Sequence, residues 1–235
     1  RRQRQMCIRD RIARERHETF VNFEKSKYAD GSYFDKYTTQ DWQPKYDKTA
    51  ALFDGIFIPT KADWEALKEA VMRDGLYHQN RMAVAPNGSI SYINDTTASL
   101  HPIINRVEER QEKKIGKIYY PAPYLSNDTI NYYKSAYDTD MRKVIDVYAA
   151  AQQHVDQGMS LTLFMRSTIP AGLYEWKDGR TDKMTTRDLN ILRNYAYRKG
   201  IKSIYYIRTF TDDDGEVGVN AVSYTHLTLP TNSRV

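Results

Sequence analysis

Between Leu161 and Ile207 the chain reads strand, helix, strand, and that order constrains its fold more than any other feature. Leu161 to Met165 is a short run fit for a buried strand, with polar character only at Thr162. A loop through Gly172 and Gly179 comes next. Thr185 or Thr186 then offers a cap oxygen to a helix carrying Leu189, Leu192, Tyr195 and Ala196, which Gly200 stops. Ser203 to Ile207 is the next strand. A crossover of this length joins parallel strands and takes the right-handed sense, so the spacing predicts an α/β fold.

The rest of the chain reads as further pieces of the same kind. Ile12, Phe20, Val21 and Phe23 stand among charges, as a helix end before the turn at Asp30 and Gly31. Ala29 to Trp42 predicts a short helix closed by Pro44. Thr60 and Asp63 precede Trp64, Leu67, Ala70 and Val71, which predicts an N-capped helix running to Arg73 with Gly75 past its end. Met82 to Ala85 reads as a buried strand entering a tight loop at Pro86, Asn87 and Gly88. Glu108 and Glu109 beside Arg106 and Arg110 read as a solvated helix face, and Ile118 to Pro123 as a tyrosine-rich loop. Asp138 and Thr139 open a helix in which Met141, Val144, Ile145, Tyr148 and Val155 recur at helical spacing, ended by Gly158. With no repeat and no linker, the expectation is one α/β piece.

Charge separates the ends from the middle. The 235 residues carry 35 basic and 30 acidic side chains. Residues 1–11 hold five of the arginines together with Asp10, and residues 221–235 hold Arg234, which leaves 29 of each sign in 12–220. Both end strings resemble translated adapter sequence, so residues 1–11 and 221–235 are expected to be non-native. The basic balance then says nothing of nucleic acid, and no nucleic-acid partner is expected. Cys7 is the only cysteine, which excludes a disulfide framework and points to a reducing compartment. The apolar runs are too short for a bilayer span, so no membrane partner is expected.

Two stretches carry candidate chemistry. In Ala85 to Ser91, glycine and small hydroxyl residues let backbone N–H groups turn toward one point, and a helix starting near Ser91 would complete an anion cradle. A plain turn with Ser89 or Ser91 as N-cap explains the same residues. Tyr205 and Tyr206 sit in an apolar strand, where adjacent side chains take opposite faces. They read either as packing residues or as a redox-active phenol pair. His17, His78, His101 and His154 lack the spacing of a metal-binding helix, and no metal site is expected.

Longer stretches match a known family. FEKSKYADGSYFDKYT (23–38), RMAVAPNGSISYINDTTASLHPI (81–103), KIYYPAPYLS (117–126), DVYAAAQQHVDQGMSLTLFM (146–165) and GIKSIYYIRTF (200–210) occur in order. Together they make residues 12–220 resemble the C-terminal part of the large (alpha, catalytic) subunit of class Ib ribonucleotide reductase. The resemblance implies the last portion of a ten-stranded α/β barrel, incomplete in this chain. It implies that the loop of Pro86, Asn87, Gly88, Ser89 and Ile90 binds the diphosphate of a ribonucleoside diphosphate, Asn87 standing where threonine is commoner. It implies that Tyr206 and then Tyr205 pass a radical from a dimetal-tyrosyl small (beta) subunit toward an active-site cysteine upstream. This chain would itself bind no cofactor, and the helix at 185–199 lies where the small subunit's tail docks. A glutaredoxin-like or thioredoxin-like electron donor, a large-subunit homodimer formed through upstream regions and a cytoplasmic location belong to the same expectation. With the radical cysteine and the reducing cysteines elsewhere, the chain alone is expected to be inactive. Two readings compete: a phosphate-binding α/β module without redox chemistry, and a basic-arm nucleic-acid binder, which needs residues 1–11 to be native.

Overall fold

The computed structural model describes residues 10–85, 87–112, 116–177 and 182–211. They fall into two compact units that divide between Met82 and Ala83, where one α/β piece is expected from the sequence. The division cuts the apolar run 82–85. That run makes no strand; only Val84 pairs, in a single parallel bridge to Met159.

The first unit is helical among its described residues. Residues 10–16 form α1, so Asp10 and Arg11 of the segment expected to be non-native are helical, whereas residues 1–9 and 221–235 lie outside the described residues. Single 3₁₀ turns at Phe23–Lys25 and Ser32–Phe34 lead to α2 (Asp35–Thr38), α3 (Asp47–Ala51) and α4 (Lys61–Asp74). The Thr60 hydroxyl accepts the Asp63 N–H while the Asp63 carboxylate accepts the Thr60 N–H, closing the reciprocal cap the sequence announces. Trp64, Leu67 and Val71 of α4 are buried with Phe34, Tyr37 and Leu76. Tyr37 stacks on Trp64 at 4.0 Å and 10°. Burying each such side chain stabilises by about 1.5–3 kcal/mol, so three on one helix face fix its orientation. Gly75 has φ +80°, and a Cβ there would meet the Thr19 methyl at 2.3 Å, so the helix can end here only on glycine.

The second unit holds every described strand. In order it contains α5 (Gly88–Ile93), β1 (Val107–Glu112), β2 (Gly116–Pro121), α6 (Met141–Gln152), β3 (Leu161–Arg166), α7 (Thr186–Arg198) and β4 (Ile204–Phe210). β1 and β2 form an antiparallel pair with Glu108 opposite Tyr120 and Arg110 opposite Ile118. The expected helix face at 108–109 and the expected loop at 118–121 are therefore both strand. The charged residues of β1 carry no apolar period, and only pairing with the alternating β2 makes a strand of them.

α6 starts one residue later than expected. Asp140 caps it by accepting the Arg142 N–H, while Asp138 belongs to the preceding turn and pairs with Arg166 at 2.6 Å. α6 ends at Gln152, well before Gly158. That glycine is needed instead because a Cβ would meet Ser203 Oγ at 2.6 Å. β3 and β4 pair in parallel across α7, as the strand, helix, strand order predicts. Thr185, not Thr186, caps α7, with a reciprocal bond to Asp188. At the other end Gly200 at φ +80° lets the Gly200 N–H reach the Tyr197 carbonyl and the Ile201 N–H reach that of Ala196. The described strands form two two-stranded sheets and close no barrel.

Candidate functional site

The chain leaves the Val84 bridge and turns into α5 at the carboxyl end of a parallel segment, the place where α/β sheets receive ligands. Pro86 lies outside the described residues, as does the side chain of Ser89. Asn87 occupies the N-cap position with φ −110°, and its side chain makes no cap hydrogen bond. The plain-turn reading puts Ser89 or Ser91 at the cap. Ser91 is instead buried within the helix, where its N–H donates to the Asn87 carbonyl and its hydroxyl to the Gly88 carbonyl at 2.7 Å. The amides of residues 88–90 open the helix and have no carbonyl partner within it. Asn87, Gly88 and Ile90 are exposed, and a Cβ on Gly88 would meet nothing within 4 Å.

The segment after the loop is anchored. The Tyr92 hydroxyl donates to Glu108 at 2.6 Å, and its ring lies 4.4 Å from that of Tyr120, which ties α5 to the β1–β2 pair. Ser99 and the buried Tyr148 of α6 share a hydrogen bond of 2.6 Å, and Tyr148 also donates to the Ser160 carbonyl just before β3.

Tyr205 and Tyr206 depart from strand alternation. Leu161 pairs with Ile204, yet Thr162 pairs with Tyr206, so β4 spends one extra residue, Tyr205, in a bulge. The two rings consequently meet at 4.2 Å and 67°, instead of pointing to opposite faces. Tyr205 is 56% exposed and Tyr206 is half-buried. Beyond the bulge the register sets Tyr206, Arg208 and Phe210 opposite Thr162, Phe164 and Arg166. Cation and ring alternate across this face: Arg208 lies over Phe164 at 5.9 Å, and Arg166 over Phe210 at 4.9 Å.

Around Phe164 stand two further titratable groups, His101 at 4.7 Å and Tyr137 at 5.3 Å between ring centroids. Burial pushes His101 below its ordinary value; the hydrogen bond between Nδ1 and the Pro102 carbonyl opposes that shift, and the Arg208 charge adds to it. Burial raises the Tyr137 phenol, partly offset by Arg208. Sequence reasoning misses the part played by both His101 and Arg208. Arg208 stands two residues from Tyr206 in a strand, the spacing that puts two side chains on one face, and that signal is present in the sequence. His101 is brought in by its loop, and no local spacing announces it. Among the described residues, no three His, Cys, Asp or Glu side chains gather as a metal site, and no helix is long and apolar enough to cross a membrane.

Comparison with known proteins supplies the context. Residues 10–207 match the family model described as ribonucleotide reductase, barrel domain. The ribonucleoside-diphosphate reductase subunit alpha of Bacillus subtilis is 50% identical over 198 residues, covering 84% of this chain and 26% of the relative. The protein of the same name from Mycoplasma genitalium is 47% identical over 199 residues, covering 82% and 26%. That from Helicobacter pylori is 35% identical over 147 residues, covering 63% and 17%. The chain thus spans about a quarter or less of the length of these relatives.

Proposed function

Because the chain belongs to the family of ribonucleotide reductase barrel domains, we propose that it is the C-terminal part of the ten-stranded α/β barrel in the large subunit of a class Ib ribonucleoside-diphosphate reductase. In this reading the complete enzyme reduces ribonucleoside diphosphates to 2′-deoxyribonucleoside diphosphates, and this chain supplies two of its working parts.

The first is the loop of Pro86, Asn87, Gly88, Ser89 and Ile90, which takes the substrate's diphosphate. The helix-opening amides, which find no carbonyl within the helix, and their dipole attract an anion, and the open space a Cβ on Gly88 would enter lets it approach the backbone. The second is the phenol pair. Tyr206 receives the radical from a small subunit and Tyr205 passes it inward. The dimetal centre of that small subunit supplies the initial one-electron oxidant. The observation that carries this reading beyond family membership is the contact of the two rings at 4.2 Å, which packing alone does not require of adjacent strand residues. An electron donor of the glutaredoxin or thioredoxin kind, a large-subunit homodimer and a cytoplasmic location complete the proposal.

The test is to express the complete reading frame that carries this chain with its small subunit. Conversion of a ribonucleoside diphosphate to its 2′-deoxy form is then assayed with a dithiol reductant. Deoxynucleotide formation is expected. An assembled complex that binds nucleoside diphosphates and forms none would overturn the reading in favour of a non-redox phosphate-binding module.

A further inference from the structure

The bulge at Tyr205 does more than bring two phenols together. It turns Tyr206 onto the face of β4 shared with Arg208 and opposite Thr162 and Phe164. The guanidinium carbon of Arg208 lies 5.9 Å from the ring centroid of Tyr206 and 5.9 Å from that of Phe164. A guanidinium ordinarily engages a carboxylate through its planar fork. Among the described residues no ion pair joins Arg208 to a carboxylate, and its guanidinium faces these two rings, with His101 and Tyr137 within reach of its charge. Attraction of a cation by a ring face holds such an arrangement, more strongly where water is partly excluded.

We infer that Arg208 is a positioning residue for radical transfer through Tyr206: its guanidinium, braced by Phe164, keeps that phenol against Tyr205, so that an electron and a proton pass between the two together. The inference rests on the proposed role of Tyr205 and Tyr206 as radical carriers. In the hop between them, the O–H bond of Tyr205 breaks and that of Tyr206 forms. One electron passes from Tyr205 to the Tyr206 radical, which leaves the radical on Tyr205. No further reactant is needed. Because the electron and the proton travel together, no net charge builds up on either phenol in the hop.

The same charge reaches the other titratable groups packed here. It depresses His101, from the segment after α5, and Tyr137, from the turn before α6, against the raising effect of burial on the latter. Glu108 acts on His101 in the opposite sense. Arg166, on the same face of β3, is paired with Asp138 and lies over Phe210.

The measurement is an absorbance titration of 3-nitrotyrosine placed at position 206 in the complete subunit. Arg208→Gln should raise the phenol's midpoint by about one pH unit, because a positive charge beside the ring stabilises the phenolate. Arg208→Lys should keep the midpoint within a few tenths of a unit of the parent and restore most of the turnover that Arg208→Gln loses. Circular dichroism spectra that superimpose for the three proteins establish that each is folded. A midpoint unmoved by Arg208→Gln overturns the positioning role. Appreciable turnover in Tyr206→Phe overturns instead the radical-carrier reading, and the titration separates the two failures.

Discussion

Lys177 and Asp188 form an ion pair of 2.8 Å in which both side chains are more than nine-tenths buried, at 8% and 9% exposure. The Asp188 carboxylate also accepts the Thr185 N–H and hydroxyl, so one group caps α7 and fastens the loop before it. Lys177 additionally donates to the Lys183 carbonyl. Removing the cation strands a buried carboxylate. Lys177→Met should cost about 3 kcal/mol, the low end for breaking a buried pair, since Thr185 remains. Burial alone would raise the Asp188 carboxyl, but Lys177 and Thr185 outweigh it and hold the group below its usual value. A lowered acid contributes stability that is complete above its unfolded value near pH 4 and fades as pH falls through the folded one. The stability lost in Lys177→Met should therefore be largest above about pH 4 and shrink as pH falls and Asp188 is protonated in both proteins. Thermal melts of both proteins between pH 3 and pH 7 check this; coincident curves would contradict it.

The phenol pair separates function from packing. Tyr205→Phe and Tyr206→Phe conserve volume and remove only an O–H, a change of roughly 1 kcal/mol. Each variant of the complete subunit should melt within a few degrees of the parent while deoxynucleotide formation drops to background. Normal turnover with lowered stability would assign the pair to packing alone.

Gly88 gives a second such separation. Its φ is not in the left-handed region and, among the described residues, no atom would meet a Cβ or requires glycine there. Gly88→Ala should leave stability unchanged or raise it by about 0.5–1 kcal/mol, because alanine restricts the unfolded chain. Gly88→Val projects branched methyls over the amides of the loop and should weaken nucleoside diphosphate binding at least tenfold. Equilibrium binding of a ribonucleoside diphosphate to the complete subunit decides the matter. Unchanged affinity in the valine variant would remove the diphosphate from this loop.

His101 should make stability pH-dependent near neutrality. Burial lowers its proton affinity in the fold, so the unfolded chain binds a proton first as pH falls through about 6.5. Its stabilising effect is complete above that pH and declines below it. Comparing melting temperatures at pH 7.5 and pH 5.5 should show a smaller acid loss for His101→Gln than for the parent. Equal losses would place the proton elsewhere.

The 235-residue chain alone should associate. Tyr46, Leu52, Phe53, Ile56 and Phe57 are exposed within one short stretch of the first unit, and β3–β4 is a parallel pair, which ordinarily lies inside a larger covered sheet. Light scattering with differential scanning calorimetry on the purified chain tests this. A monomer with one sharp transition would contradict it.

Helix ends are the most legible part of the sequence, because their signals are local. Thr60 with Asp63 and Gly200 act within a few residues and stand where the sequence puts them, and Thr185 is one of the two caps it offers for α7. The parallel pairing of β3 and β4 is legible from element order. The β1–β2 pair is not, because Glu108, Glu109 and Arg110 become a strand only through partners across the ladder. The division after Met82 leaves no mark either, since the first unit builds its aromatic core from residues spread between Phe20 and Leu76. At the candidate site, the roles of the phosphate loop and the phenol pair come from resemblance. The contact between the phenols is hidden in the sequence, because alternation assumes an unbroken ladder and a bulge in β4 cannot be read from residues 204–206 alone; His101 is hidden as well, whereas the spacing of Arg208 from Tyr206 is legible.

That bulge makes the strand sensitive to counting. Downstream of Ile204, the side that each residue occupies depends on how many positions intervene, whatever their identity. A point substitution can silence a phenol where it stands. Deleting Tyr205 would instead leave Tyr206 adjacent to Ile204 in an unbroken ladder, with its hydroxyl intact and no neighbouring ring to receive what it carries. Length variation at this spot should therefore be tolerated far less than variation in side chains, and a gain or loss of one codon there is more damaging than most substitutions that remove chemistry outright.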